Sequence, residues 1–320
     1  RDAEPLRKQC EDAVNALPGI LSVTAVLTAH QARQQQQPQR ARAPHAPHAP
    51  HAAPAPAGIP GVASIIAVAS GKGGVGKSTV AANLALGLAH QGLKVGLLDA
   101  DIYGPSVPRL LGIREKPQTE NHKLKPIEKF GIKTMSIGFL VDEGTPMVWR
   151  GPMVQSALTQ MMNDVLWAPL DVLVVDMPPG TGDAQLTMAQ RVPLKGAVIV
   201  STPQDLALID ARKAIAMFEK TQIPILGIVE NMSTYVCPNC GHEAHIFGHG
   251  GARETARSMG APFLGEIPLV GTIRELSDAG TPVTATAPNS AEAKAYLAIA
   301  SEVSKALSAP VRAAPKIVIE

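Results

Sequence analysis

Short apolar runs alternate with segments of helical periodicity over most of the chain. Runs rich in Val, Ile and Leu predict strands at residues 65–70, 94–99, 132–137, 171–176, 196–201, 225–230 and 262–267. Apolar residues at helical spacing predict helices at residues 80–89, 154–167, 206–221 and 291–307. Strands that are apolar throughout are typical of parallel sheets covered on both faces. The alternation therefore predicts an α/β fold with a mostly parallel sheet.

The segment before residue 61 lacks this alternation. Residues 2–17 predict one amphipathic helix and residues 20–27 predict one strand, which together are too little to bury a core. Residues 31–60 combine consecutive glutamines with Ala-Pro-His repeats, and this composition predicts a flexible, disordered linker. The chain therefore divides into a small α+β segment, a linker, a large domain and a tail, at residues 1–30, 31–60, 61–308 and 309–320.

A glycine-rich stretch lies between the first strand of the large domain and the helix that follows. Its spacing, G-x-x-x-x-G-K-S, is that of a phosphate-binding loop, and the domain is therefore predicted to be a P-loop NTPase. In such loops backbone N–H groups converge on the phosphates. Lys77 is expected to reach the β- and γ-phosphates, and Ser78 to ligate Mg²⁺. The predicted nucleotide-binding residues here are Gly71, Lys72, Gly73, Gly74, Val75, Gly76, Lys77, Ser78 and Thr79.

Carboxylates follow two of the predicted strands. Asp176 ends the most apolar strand, the position from which P-loop NTPases hold Mg²⁺. Asp99 and Asp101 close the second strand of the domain, and Asp99 either assists Mg²⁺ and loop geometry or caps the next turn. The loop after Asp176 contains Gly180 and is expected to respond to the γ-phosphate and to relax after hydrolysis. All these residues belong at one edge of a parallel sheet.

Composition argues against several classes of function. Aromatic residues are 3% of the chain and the net charge is +2, so neither base-stacking platforms nor a nucleic-acid partner is expected. No apolar run approaches the length of a membrane span, and a membrane partner is not expected. Two of the three cysteines are close together, which favours a metal site over disulfides; we expect a reducing compartment and a cytoplasmic protein.

Cys237 and Cys240 form a C-x-x-C pair with Pro and Gly, a turn that directs two thiolates at one point. Two thiolates are half of a tetrahedral site. His242, His245 and His249 follow, so a zinc site within one chain is one alternative, although zinc fingers use a longer interval of roughly twelve residues. The other is a two-fold symmetric pair of chains in which each chain supplies two cysteines to one iron–sulfur cluster.

These motifs together resemble the Mrp-type (ApbC-like) iron–sulfur cluster carriers, which are MinD/ParA-like P-loop ATPases with a deviant Walker A loop. The resemblance covers about residues 60–308 and rests on the glycine loop, the C-x-x-C pair and residues 99–108, 176–183 and 230–232. It implies a homodimer that binds a [4Fe–4S] cluster between protomers, transfers it to apo-proteins and hydrolyses ATP slowly. Cluster-assembly scaffold proteins are further expected partners. Residues 1–30 would be the remnant of a MIP18-like domain whose front is missing.

The resemblance also implies roles for individual residues. Lys72, placed just after the first glycine of the loop, would contact the nucleotide of the partner chain. Asp101 would position the attacking water, and Asn231 would hydrogen-bond the adenine. The implied catalytic residues are Lys72, Lys77 and Asp101, and the implied cofactors are ATP, Mg²⁺ and a [4Fe–4S] cluster held by Cys237 and Cys240.

Two other classes share the loop. The main alternative is a positioning or partitioning ATPase of the MinD/ParA class in which the C-x-x-C is a structural zinc knuckle. Such proteins use a C-terminal amphipathic membrane helix or a basic DNA-binding face, and residues 309–320 predict neither. A reductase like the nitrogenase iron protein would need two separated ligand cysteines per chain, and Cys10 is remote from the pair.

Overall fold

The computed structural model describes residues 58–141 and 151–309, together with residues 8, 9 and 13. In the N-terminal unit, Arg1–Ala53, only those three positions are described, and they are helical and exposed. The predicted strand at residues 20–27, most of the predicted linker, Cys10 and the tail beyond residue 309 lie outside the described residues.

Several of the predicted site residues lie at the ends of strands. In chain order the strands are β1 (Val62–Ala69), β2 (Val95–Asp99), β3 (Thr119–Glu120), β4 (Lys123–Leu124), β5 (Ile127–Lys129), β6 (Ile132–Ser136), β7 (Leu170–Asp176), β8 (Gly196–Ser201), β9 (Ile225–Asn231), β10 (Tyr235–Val236), β11 (Glu243–Ala244) and β12 (Phe263–Ile267).

Most of the helices connect successive strands. They are α1 (Lys77–His90), α2 (Val107–Leu110), α3 (Gly151–Asn163), α4 (Asp183–Arg191), α5 (Asp205–Lys220), α6 (Gly251–Ser258), α7 (Gly271–Asp278), α8 (Val283–Thr286) and α9 (Ala291–Ser308), with a 3-10 turn at Ile137–Phe139. No helix in the described part of the chain combines the length and apolarity needed to cross a bilayer.

Eight strands form one sheet in the order β12-β9-β8-β1-β7-β2-β6-β5. All neighbours are parallel except the edge pair β5 and β6. Strands β2 and β8 are buried at every residue, as expected of strands with helices on both faces. Helices α1 and α9 pack on each other, as do α5 and α6. The predicted α/β fold with a mostly parallel sheet is confirmed.

The predicted helix at residues 154–167 is too long. Helix α3 ends at Asn163, and the chain then turns into an extended segment in which Leu166 N–H donates to Leu124 O at 2.9 Å. Val165 and Trp167 are both buried, which makes this segment look like a continuation of the apolar helical pattern. The short hairpin of β3 and β4 was not predicted because all its strand residues except Leu124 are polar and exposed.

The register of the sheet places two carboxylates side by side. Asp99 at the end of β2 pairs in register with Asp176 at the end of β7, and Asp176 also pairs with Val68 near the end of β1. The loop between β1 and α1 starts at this same edge. The carboxyl end of the sheet therefore brings the glycine loop and both strand-end carboxylates to one place, as the sequence predicts.

Helix α1 is fixed to the far part of the chain by one buried amide. Asn83 Nδ2 donates to Thr79 O at 2.9 Å, and Asn83 Oδ1 accepts from the Thr284 hydroxyl at 2.8 Å and from Thr284 N–H at 3.2 Å. Both side chains are buried. The interaction joins the helix that carries the glycine loop to α8.

We expect Asn83→Ala to lower the free energy of unfolding by about 3 kcal/mol, because it leaves two Thr284 donors buried without an acceptor. Urea denaturation of the full chain measures this change. Gln91→Ala, at an exposed position just after α1, is the control and should leave the midpoint unchanged. Equal midpoints for the two variants would contradict the assignment.

Candidate functional site

The glycine loop forms the wall of a hollow at the carboxyl edge of the sheet. Helix α1 begins at Lys77, so the unpaired N–H groups of its first turn point toward this hollow. Its volume is about 280 Å³. Of the predicted nucleotide-binding and catalytic residues, those that line it are Lys72, Gly73, Gly74, Gly76, Lys77, Ser78, Thr79 and Asp101.

Two glycines of the loop are required by close contacts. A Cβ atom on Gly71 would lie 2.1 Å from the backbone of Asp210 in α5, so only glycine lets the loop start this close to that helix. Gly76 has a φ of 81°, and a Cβ there would lie 2.3 Å from Asn231 Nδ2. Val75 lies buried between them. Gly71 and Val75 therefore support the loop without lining the hollow.

A buried ion pair occupies the floor of the site. Lys77 Nζ lies 2.6 Å from Asp176 Oδ1 and 3.8 Å from Asp101 Oδ2, and it donates to Ser78 Oγ at 3.2 Å. Lys77 is 6% exposed and Asp176 is fully buried. Burial raises the pKa of Asp176, and the Lys77 ammonium opposes that rise. One cation thus balances the carboxylates at the ends of β2 and β7.

The donor set at this floor fits Mg²⁺. Asp176 Oδ2 is buried and has no hydrogen-bond partner among the described residues, while the hydroxyl of Ser78 lies beside the same Lys77 ammonium. Carboxylate and hydroxyl oxygens are ligands that Mg²⁺ prefers, usually with water and phosphate oxygens. Asp176 and Ser78, the two predicted Mg²⁺ residues, are therefore close enough to act on one ion.

Asp99 and Asp101 have different environments. Asp99 Oδ2 accepts from Ser106 N–H at 3.0 Å, from Val107 N–H at 3.1 Å and from the Ser136 hydroxyl at 3.0 Å. Asp99 therefore caps the turn that begins α2. Asp101 lines the hollow, and burial raises its pKa although Lys77 opposes the rise. Only Asp101 faces the space where a nucleotide phosphate would lie.

Of the predicted residues Lys72 and Gly180, only Lys72 lines the hollow, although Pro179, just before Gly180, lines it too. The Lys72 side chain is half-buried, lines the hollow and has no partner for its ammonium among the described residues. Its backbone carbonyl accepts from the Ser70 hydroxyl at 2.9 Å. Gly180 N–H donates to Ser70 O at 3.0 Å, so the loop after Asp176 is attached to the start of the glycine loop. The two loops are therefore in direct contact.

Asn231 lies in a second hollow next to the first. This hollow has a volume of about 260 Å³, and it shares Gly76 and Thr79 with the phosphate hollow. Asn231 Nδ2 donates to Val75 O at 2.8 Å, which leaves one amide proton and the amide oxygen for a ligand. The position beyond the helix N-terminus and the free amide groups could accommodate a purine base, and the role of Asn231 stays a prediction.

The cysteine pair lies apart from both hollows, in the hairpin of β10 and β11. Cys237 N–H donates to His242 O at 2.9 Å, and Gly241 N–H donates to Cys237 O at 2.9 Å, which closes the turn. Cys237 is half-buried and Cys240 is exposed; both are free thiols. Hydrogen bonds from the backbone N–H groups of Cys240 and Asn239 lower the pKa of Cys237, favouring the thiolate that binds metals.

The cysteine pair lacks further ligands within the described chain. Among the described residues, the only group of three His, Cys, Asp or Glu ligand atoms within 4.8 Å of one another is Glu230, His249 and Glu266, and it includes neither cysteine. His245 and His249 stack on each other at 4.4 Å and do not turn toward the thiols as a tetrahedral set. The described residues therefore do not assemble a Cys₂His₂ site.

Two residues that shape the site, Ser136 and Glu230, have no role predicted from the sequence. Ser136 ends β6 and donates to Asp99; its signal was a polar residue at the end of an apolar run. Glu230 is fully buried at the end of β9, and its carboxylate accepts from Gly250 N–H and Ala252 N–H at 3.0 and 2.7 Å. A glutamate closing an apolar strand was visible in the sequence, but its partners lie some distance along the chain.

Residues 61–304 match the protein family described as "ParA: NUBPL iron-transfer P-loop NTPase". The chain belongs to this family. The match covers nearly the whole described domain and confirms the family predicted from the motifs. Nucleotide hydrolysis is thus the general chemistry of the family to which the described site belongs.

Close relatives share most of the chain. An Arabidopsis thaliana protein named "Iron-sulfur protein required for NADH dehydrogenase, mitochondrial" is 57% identical over 244 residues, which are 76% of this chain and 78% of that protein. An "Iron-sulfur cluster carrier protein" of Pseudomonas fragi is 56% identical over 238 residues, covering 73% of this chain and 83% of that protein.

Solved structures agree on the fold. A nucleotide-binding protein from Archaeoglobus fulgidus in complex with ADP, with Co found by PIXE, is 46% identical, with a TM-score of 0.62 over 68% of this chain and 87% of that one. The cell division ATPase MinD of Pyrococcus furiosus is 24% identical, with a TM-score of 0.57 over 76% of this chain and 99% of that one. The likeness to MinD concerns the fold alone.

The buried carboxylates predict a pH dependence of stability. Burial and the neighbouring Asp176 carboxylate raise the pKa of Asp99 to about 7. Because the folded protein holds this proton more tightly than the unfolded chain, this group's contribution to stability is present at low pH and declines as the pH rises from about 4 to about 7.

Asp99→Asn removes this titration, so between about pH 5 and pH 7 the wild type should lose about 2 kcal/mol more stability than the variant does. Urea denaturation in magnesium-free, nucleotide-free buffer measures both slopes. Asp278→Asn, at an exposed carboxylate, is the control and should keep the wild-type slope. An Asp99→Asn slope equal to that of the wild type would contradict the assignment.

Proposed function

We propose that this chain is an ATP-dependent iron–sulfur cluster carrier. In this proposal it holds a [4Fe–4S] cluster between two copies of itself, transfers the cluster to apo-proteins and hydrolyses ATP slowly. The observation that carries the proposal is a pair of free thiols, Cys237 half-buried and Cys240 exposed, with no further ligand in the described chain. The pair lies in the same domain as a complete P-loop site. The names of the relatives support cluster transfer as the activity.

The incomplete ligand set favours a shared site. Four-thiolate clusters need twice the number of cysteines that this turn offers, and a two-fold axis beside the hairpin doubles the number. A cluster held by exposed thiols between two chains is also easily released, which suits a carrier more than a permanent redox centre. Exposure of Cys240 and the lowered pKa of Cys237 both support a site that exchanges its cargo.

The nucleotide site supports ATP hydrolysis assisted by the partner chain. Lys77 is expected to leave Asp176 for the β- and γ-phosphates, and Asp176 and Ser78 would hold Mg²⁺, which would neutralise charge on the phosphates. Asp101 orients the water that attacks the γ-phosphorus, the bond to the β-phosphate oxygen breaks, and ADP and phosphate leave. Lys72, at the rim without an intramolecular partner among the described residues, reaches the nucleotide of the other copy.

A positioning or partitioning ATPase with a structural zinc knuckle is the second candidate. The fold shared with MinD is the observation in its favour. The hairpin opposes it, because a structural zinc site is a closed set of four ligands and the described residues around this turn provide two. The proposed recipients are therefore apo iron–sulfur proteins, with cluster-assembly scaffolds as a source of the cargo.

Anaerobic reconstitution with iron and sulfide tests the cluster site. We expect about four irons and four sulfides per two wild-type chains, and none in Cys237→Ala/Cys240→Ala, since the pair supplies every ligand. Iron and sulfide assays with the solution mass give the stoichiometry. Cys10→Ala is the matched control and should bind as the wild type does. A monomer that binds one zinc and no cluster would overturn the proposal.

Replacing Lys72 tests the partner contact. We expect Lys72→Ala to retain ATP binding by the single chain but to hydrolyse ATP at least about a hundredfold more slowly, because a cation supplied in trans stabilises charge in the transition state. Phosphate release and equilibrium nucleotide binding measure the two effects separately. Lys94→Ala, at an exposed lysine outside the hollow, serves as the control. Unchanged hydrolysis by Lys72→Ala would refute the role in trans.

A further inference from the structure

Both stems of the cysteine hairpin are attached to the carboxyl end of the sheet. The outgoing stem leaves β9, and Ser233 N–H donates to Ile267 O at 3.0 Å. The returning stem leads into α6, where the Glu230 carboxylate accepts from Gly250 N–H at 3.0 Å and from Ala252 N–H at 2.7 Å. The position of the thiols therefore depends on the end of β9 at both stems.

Glu230 is fully buried, and each of its carboxylate oxygens accepts a hydrogen bond from a backbone N–H group. One oxygen bonds Gly250 and the other bonds Ala252, at the positive N-terminal end of α6. Charge-assisted bonds of this kind are stronger than neutral ones, particularly away from water. Any displacement of the Glu230 backbone is therefore transmitted to the start of α6 and to the stem that precedes it.

The next residue, Asn231, belongs to the nucleotide site. Its amide donates to Val75 O at 2.8 Å and lies against Gly76. Successive side chains on a strand point to opposite faces, so one short strand end contacts the glycine loop on one face and the base of the hairpin on the other. In the register of the sheet Glu230 pairs with Ser201 on β8 and with Glu266 on β12. Those pairings hold the end of β9 between its two neighbouring strands.

We propose that Glu230 is the positioning residue through which nucleotide binding changes the geometry of Cys237 and Cys240. A base entering the second hollow bonds the amide that now holds Val75, and the strand end adjusts. Glu230 carries the adjustment to α6 and the returning stem. The inference rests on the proposed function for its purpose, since it explains how the nucleotide state reaches the cluster ligands.

A metal site at Glu230, His249 and Glu266 explains these side chains less well. Their ligand atoms lie within 4.8 Å of one another. Both oxygens of Glu230 are taken by N–H donors, and Arg253 pairs with Glu266 at 2.8 Å, so little negative charge remains for a cation. His249 lies 3.2 Å from Glu266, which adds another contact between the returning stem and the sheet.

The test replaces Glu230 with glutamine and follows the thiols without any cluster. Glutamine keeps the size of the side chain but puts an amide N–H₂ against one backbone N–H, which breaks one of the two bonds. The readout is the rate at which iodoacetamide alkylates Cys237 and Cys240 in the reduced full chain, resolved by peptide mass, with and without saturating Mg-ADP. Low protein concentration keeps pairing of chains out of the measurement. Glu254→Gln, on the exposed face of α6, is the matched control.

We expect Mg-ADP to change the alkylation rate at least about fivefold in the wild type and in Glu254→Gln. In Glu230→Gln the change should fall to about twofold or less while the affinity for ADP stays at its wild-type value. A full nucleotide effect in Glu230→Gln overturns the inference, and so does the absence of any effect in the wild type.

Hydrogen exchange in the wild type supplies a measurement that does not depend on a variant's folding. Mg-ADP should change the exchange rate of the Gly250 and Ala252 amides, and unchanged rates overturn the inference. A different result would contradict the proposed function: a wild-type chain that binds no cluster on reconstitution. A nucleotide effect on the thiols would stand in that case, because the alkylation experiment contains no iron.

Discussion

The nucleotide site depends on one buried cation among carboxylates. The parallel register of β2 and β7 forces Asp99 and Asp176 next to each other, and Asp101 follows two residues later. Lys77, the first residue of α1, lies 2.6 Å from Asp176 and balances that charge. Without nucleotide the ammonium therefore occupies space that a magnesium ion and phosphates would compete for. In the proposed function Mg-ATP would exchange these ionic partners: Lys77 would pair with phosphate, and Asp176 would hold the metal.

The cysteine hairpin is organised on a different principle, an incomplete ligand set. The turn presents two thiols, one of them exposed. Of the nearby histidines, His245 and His249 stack on each other, and His249 also pairs with Glu266. A ligand set that is half complete favours either a second chain or an exchangeable cargo, and a carrier needs both. The two sites meet at the end of β9, where Asn231 touches the glycine loop and Glu230 holds the return of the hairpin.

Local patterns predicted the strands, the glycine loop and the strand-end carboxylates, because burial and turn formation depend on residues that are close together in the sequence. The end of α3 was mispredicted since Val165 and Trp167 continue an apolar pattern while the chain itself turns to pair with Leu124. Long-range partners were out of reach: nothing near Glu230 in the sequence indicates that it bonds the start of α6. Asp99 shows the same limit, since the Ser136 hydroxyl that donates to it comes from another strand.

In the proposed function, two chains share one cluster through their cysteine pairs. Native mass spectrometry of a mixture tests it most directly, using wild-type chains and mass-tagged Cys237→Ala/Cys240→Ala chains reconstituted together under anaerobic conditions. We expect a cluster of about four irons only in dimers of two wild-type chains, and none in mixed dimers. A cluster retained by mixed dimers, or by wild-type monomers, would contradict it.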